Sequence, residues 1–185
     1  MRKALNSLYQ ASTALAACCL VVIASLVVIQ VLGRALDWTR KISGLEPLGL
    51  QVPSLAEIAG FLLVGASFLA LAGTLRNSDH IRVSILLQAV PPAIARFLNV
   101  WAIAVAFALA AFFTWHAGWL AFDSFNYNET SYGIIPIPLV YPQLIMTFGL
   151  MVFAISLFDD LVLTLVGSDP SFETVVKDDP IEGKE

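Results

Sequence analysis

Residues 11–33 read ASTALAACCLVVIASLVVIQVLG, 23 positions without a charge. A bilayer core about 30 Å thick needs roughly 20 apolar residues per helix. This stretch is therefore long enough to cross a membrane once. Three further apolar runs follow it, at 54–75, 93–120 and 137–158. The third has 28 residues and is expected to tilt or project from the bilayer. Glycine, proline and charged residues punctuate the intervening segments 34–53, 76–92 and 121–136. The predicted fold is all-α: an integral membrane protein with four tilted transmembrane helices. It divides into a four-span membrane domain over 1–166 and an acidic, mobile tail over 167–185.

Composition agrees with that reading. The 185 residues are 58% hydrophobic and 13% charged, with mean hydropathy +0.82. Soluble domains carry about 25% charged residues, and disorder needs low hydrophobicity with high charge. An ordinary soluble globule and a disordered chain are both excluded, and four spans leave no room for a large soluble domain. The net charge is −4. From Asp159 onward, eight acids face only Lys177 and Lys184. The acidity is thus a property of the tail and does not point to a cationic partner; no nucleic-acid partner is expected either.

The charges also predict an orientation. With four spans both termini share a side, and that side holds Arg2, Lys3, Arg76, Arg82, Arg96, Lys177 and Lys184. The other holds Arg34, Arg40 and Lys41. The positive-inside rule then places both termini in the cytoplasm. Met1-Arg2-Lys3 and Leu15-Ala16-Ala17-Cys18 resemble a secretory or lipoprotein signal. The apolar run continues to Gly33, however, so a retained first helix is expected. Cys18 and Cys19 are adjacent in that run and diverge around a helix, so they read as small apolar fillers.

Helix ends and packing faces supply the next expectations. Ser54-Leu55-Ala56-Glu57 after Pro53 has the pattern of a capping box, with hydroxyl and carboxylate each taking the other's amide. Glu57 also stands on the side where Arg34 closes the first span, so the two could pair. Pro138 and Pro142 fall in the expected first turns of the fourth span, where proline is best tolerated. Ala102, Ala106, Ala110, Thr114 and Gly118 recur every fourth residue, a ridge that permits close helix approach. Trp115, Trp119, Tyr127 and Tyr132 fall towards one interface, as in an aromatic belt.

Catalytic chemistry is hard to find. His80 and His116 are expected on opposite sides, so they cannot share a haem or metal. Asp159 and Asp160 read as a solvated helix end. No phosphate loop, GxSxG or HExxH motif occurs. The span centres offer only Ser25, Ser67 and a few other hydroxyls, whereas an autonomous transporter needs polar groups near the midplane and is commonly built from repeats. No catalytic residue, cofactor or metal site is assigned, and the expectation is a subunit without chemistry of its own. The competing readings are a haem- or quinone-associated membrane anchor and a self-assembling tetraspan protein.

Several stretches taken together resemble the small membrane subunit, DctQ-type, of tripartite ATP-independent periplasmic (TRAP) transporters. They are Val-Ile-Gln-Val-Leu-Gly-Arg34 closing the first span, Glu57 opening the second, and Gly65 in its middle. His80-Ile81-Arg82-Val83 follows directly, then Leu86-Leu87 and a proline, and Gly133-Ile-Ile-Pro136-Ile-Pro138 precedes Gly149. The resemblance covers roughly residues 21–166. Ser84 stands where family members often have Asp, and Leu55-Ala56 where they often have Trp before the Glu. The resemblance implies two protein partners, a large multi-span membrane subunit and a periplasmic solute-binding protein. It implies uptake of a solute, often an organic acid, driven by an ion gradient across the bacterial inner membrane. The small subunit would scaffold the large one and help dock the binding protein. Arg34, Glu57, Gly65, His80, Arg82 and Pro138 are the motif positions carried over as structural or interface candidates. His80 and Arg82 read equally as a contact to the large subunit or lipid phosphate, or as a positive-inside anchor.

Overall fold

Four helices account for most of the described chain, which in this computed structural model comprises residues 2–76 and 91–166. They are α1 (Arg2–Ile42), α2 (Leu55–Arg76), α3 (Pro92–Asn126) and α4 (Val140–Val166). All four are long and apolar enough to cross a membrane. Valine and isoleucine are weak helix formers in water, but in a bilayer only a helix satisfies its own backbone without a closed barrel. No strand occurs among the described residues; a single isolated bridge joins Thr130 to Pro138.

The helices overrun the apolar segments. Residues 34–41, expected in a loop, continue α1 because no proline or glycine interrupts them before Gly44, which takes φ +72°. Arg40 and Lys41 in the last turn suit the negative end of the helix dipole. At the other end α4 continues to Val166, past the apolar run that stops at Phe158. Its start lies later than expected: Pro138 sits in the bridge, ahead of the first turn, and only Pro142 is helical.

The helices run alternately up and down. α3 packs on α4, α4 on α2, and α2 on α1, while α1 touches α4 only slightly. The result is a flattened array, with α1 and α3 as its edges. Two apolar clusters hold it. Leu75, Ile103, Ala110, Ala154 and Leu157 join the α3–α4 pair to the end of α2. Tyr9, Ala72 and Val152 join α1, α2 and α4. The α2–α4 seam is closest at Gly149, where an added Cβ would lie 2.6 Å from the Phe68 carbonyl carbon. One buried hydrogen bond ties α1 to α2: Ser12 Oγ donates to the Leu69 carbonyl oxygen at 2.6 Å. Ser12→Ala is expected to lower stability by about 1 kcal/mol. Unfolding in mixed detergent micelles measures it, and an unchanged midpoint would contradict the assignment.

Candidate functional site

The motif positions fall into separate regions. At the end of the array away from the termini, Glu57 opens α2 and meets the segment between α3 and α4. That segment is built as a hairpin. Ser131 N–H donates to the Ile137 carbonyl (2.9 Å) and Leu139 N–H to the Glu129 carbonyl (3.0 Å). Ser124 Oγ, buried, donates to Glu129 Oε2 at 2.6 Å. Pro138, which lacks a donor of its own, closes the hairpin opposite Thr130.

The capping box does not form. Ser54 takes φ +54°, and its hydroxyl accepts the Ile135 N–H at 3.0 Å, while its carbonyl accepts the amides of Glu57 and Ile58. The tertiary donor has displaced the local one. Glu57 Oε2 is shielded from solvent without a hydrogen-bond partner, pressed against Gly133, where a Cβ would strike it. The positive end of α2 remains its electrostatic neighbour. Nor does Glu57 pair with Arg34, which is exposed on α1 beyond the α2 start. The ion pair does not form because α1 stays helical past the start of α2 and carries Arg34 beyond it.

Gly65 lies elsewhere, in the α2–α4 seam, where a Cβ would meet Ile145 Cγ2 at 3.1 Å. His80 and Arg82 lie outside the described residues, as does the acidic tail. Along the α3 ridge, Ala102 is exposed, Ala106 and Thr114 are half-buried, Ala110 is buried, and Gly118 is half-buried facing Thr147. The most buried line on α3 shares Ala110 with that ridge and runs through Ile103, Ala110, Ala117 and Ser124, a seven-residue repeat. Beside it, α3 and α4 leave an open apolar groove of about 760 Å³, bounded by Phe107, Trp115, Trp119, Met151 and Phe158. Trp115, Trp119, Tyr127 and Tyr132 are all exposed.

Several hydroxyls of the span interiors are turned back onto their own helices, whereas Ser12 crosses to α2 and the buried Ser156 Oγ has no hydrogen-bond partner. Ser25 donates to Val21, Ser67 to Leu63, Thr114 to Ala110 and Thr147 to Gln143, all at 2.7–2.8 Å to carbonyl oxygens. His116 packs against Phe112 in a tilted contact, ring centroids 4.3 Å apart and planes inclined by 55°. No group of three or more metal-ligating side chains occurs among the described residues. Asp160 also departs from expectation: it is only 1% exposed and is not a solvated helix end. It follows Val152 and Ser156 at four-residue steps on the packed face of α4, and the helix continues past it for more than a turn. That spacing was present in the sequence, masked by the neighbouring Asp159.

The family described as tripartite ATP-independent periplasmic transporters, DctQ component, matches residues 18–167. No curated protein and no solved structure matches the chain. The match extends from within α1 to just past the end of α4 and takes in the second part of α1 and all of α2, α3 and α4. This family is a transporter component rather than an enzyme, and the chain belongs to it, as the small membrane subunit of a TRAP transporter.

Proposed function

We propose that the chain is the fixed scaffold of a secondary uptake system, holding a large multi-span subunit in the bacterial inner membrane with both chain termini in the cytoplasm. The observation that carries this reading is the family match over residues 18–167. The architecture supports it. A flattened array leaves long apolar edges for another membrane protein and for lipid, while most of its interior hydroxyls are occupied by their own backbones. Such a chain has a large contact surface and offers no polar route for a solute. The substrate and ion sites then reside in the large subunit, and the solute class is an organic acid delivered by a periplasmic binding protein. The ordered end formed by Ser54, Glu57 and the 129–139 hairpin is the surface offered to that protein. An ion gradient, not ATP, drives the uptake.

Deletion of the chain tests the reading. Uptake of labelled carboxylates through the system should fall to background, return with a plasmid-borne copy, and stop when the ion gradient is collapsed. Uptake unchanged by the deletion would overturn it.

A further inference from the structure

α1 stands well beyond its neighbours at the end away from the termini. Ser12 lies beside Leu69 in an antiparallel pair, so the start of α2 at Leu55 is level with about residue 26. Roughly 16 residues of α1 remain, about 24 Å at 1.5 Å per residue. The chain turns at Gly44 and folds back along this extension. Gln30 Oε1 accepts the Val52 N–H at 2.6 Å, and Asp37 Oδ1 accepts the N–H groups of Leu48 (2.7 Å) and Gly49 (3.3 Å). The Leu50 carbonyl closes on Gly33, where no Cβ would fit. The amides of Ser43, Gly44, Leu45 and Gln51 are bonded within the same stretch, and Pro47 and Pro53 have none to satisfy. Non-helical backbone with most of its donors occupied enters the headgroup layer at lower cost than a bare loop.

The outer surface of this unit is amphipathic, with large apolar side chains exposed beside charged and polar ones that include Glu46. Trp38 is 66% exposed, Ile42 68% and Leu48 55%, with Leu36 and Leu45 beside them. Arg34 and Lys41 are exposed among these side chains. Asp37 is committed to backbone amides, and Arg40 Nε donates to the Glu46 carbonyl at 2.9 Å.

We propose that residues 34–52 form an interfacial anchor. The folded-back unit lies along the lipid headgroups, with its leucines, Ile42 and Trp38 at the acyl boundary and Arg34 and Lys41 on lipid phosphates. The occupant is the bilayer surface for three reasons. The unit is continuous with a lipid-spanning helix. Its free cations complement phosphate. Tryptophan with leucine and basic side chains suits the headgroup layer. The length of α1 fits as well: 41 residues span about 62 Å against a core of about 30 Å, so a tilted array brings the extension down to the surface. This inference does not depend on which transporter the chain serves.

The test uses the full chain with Cys18→Ala and Cys19→Ala, carrying one nitroxide label at Leu48→Cys or, separately, Ile42→Cys. Circular dichroism and gel filtration verify folding of both. The proteins are reconstituted in phosphatidylcholine vesicles with and without phosphatidylglycerol. Both labels should collide several-fold more with oxygen, relative to a water-soluble nickel chelate, than the same label on free cysteine in buffer. The preference should be larger with phosphatidylglycerol and shrink when Arg34→Gln and Lys41→Gln are combined. Labels as open to the chelate as free cysteine would overturn the proposal. So would labels shielded from both agents, which would mean a protein cover, or indifference to phosphatidylglycerol and to the two substitutions.

Discussion

Gly149→Leu should leave no folded protein, and Gly149→Ala should lower stability by about 1–3 kcal/mol, the usual penalty for overfilling a packed contact. The reason is the kind of atom across the seam. A Cβ at 149 would lie 2.6 Å and 2.7 Å from the carbonyl carbon and oxygen of Phe68, and 2.9 Å from the Leu69 nitrogen. All three are backbone, so no side chain can rotate aside and α4 must separate from α2. Separation would also strain the Gly65–Ile145 contact and the Tyr9, Ala72 and Val152 cluster along the same seam. Gly60→Ala is the control, because a Cβ there meets nothing within 4 Å. Unfolding of purified variants in mixed micelles, followed by circular dichroism, gives the comparison. Equal stability for the Gly149→Ala and Gly60→Ala proteins would contradict this packing.

Gly133→Ala should cost about 1–2 kcal/mol in the native background and much less when Glu57→Ala is also present. A Cβ at 133 would strike Glu57 Oε2, 2.7 Å from Cδ and 3.0 Å from Ser54 Oγ. Here the obstacle is the far end of a side chain, so the penalty is smaller than at Gly149, but relief drags a shielded carboxylate off the hairpin. Removing that carboxylate makes room for the methyl group. A double-mutant cycle by the same unfolding measurement should give a coupling of at least about 0.5 kcal/mol, within the range for residues in contact. Additive effects would show that Glu57 and Gly133 do not share this contact.

These two contacts mark how much the sequence reveals. Hydropathy located four spans, because bilayer thickness dictates the length of an apolar run. It could not locate the helix ends. Residues 34–41 carry four charges, which look like a loop in a hydropathy reading but contain nothing that breaks a helix. Ser54 to Glu57 obeys the local capping rule, yet the hydroxyl is claimed by Ile135, 81 positions away, and no local pattern carries that information. The α3 ridge is buried only in part, its first position Ala102 being exposed, for a geometric reason. A four-residue step advances about 400° around a helix with 3.6 residues per turn, so five such positions drift well off one face. The seven-residue set Ile103, Ala110, Ala117 and Ser124 drifts only about 20° per step and stays on the packed face. Gly65 and Gly149 were legible as motif positions, but their function in the seam follows from the backbone approach that only the fold creates.

The scaffold account rests on association with a larger membrane protein. The most direct measurement is affinity purification of the tagged full chain from native membranes in a mild detergent, with the masses and stoichiometry of what accompanies it. The account predicts a large multi-span membrane protein in equal amount, retained through gel filtration. Recovery of the chain alone, or only as copies of itself, would contradict it.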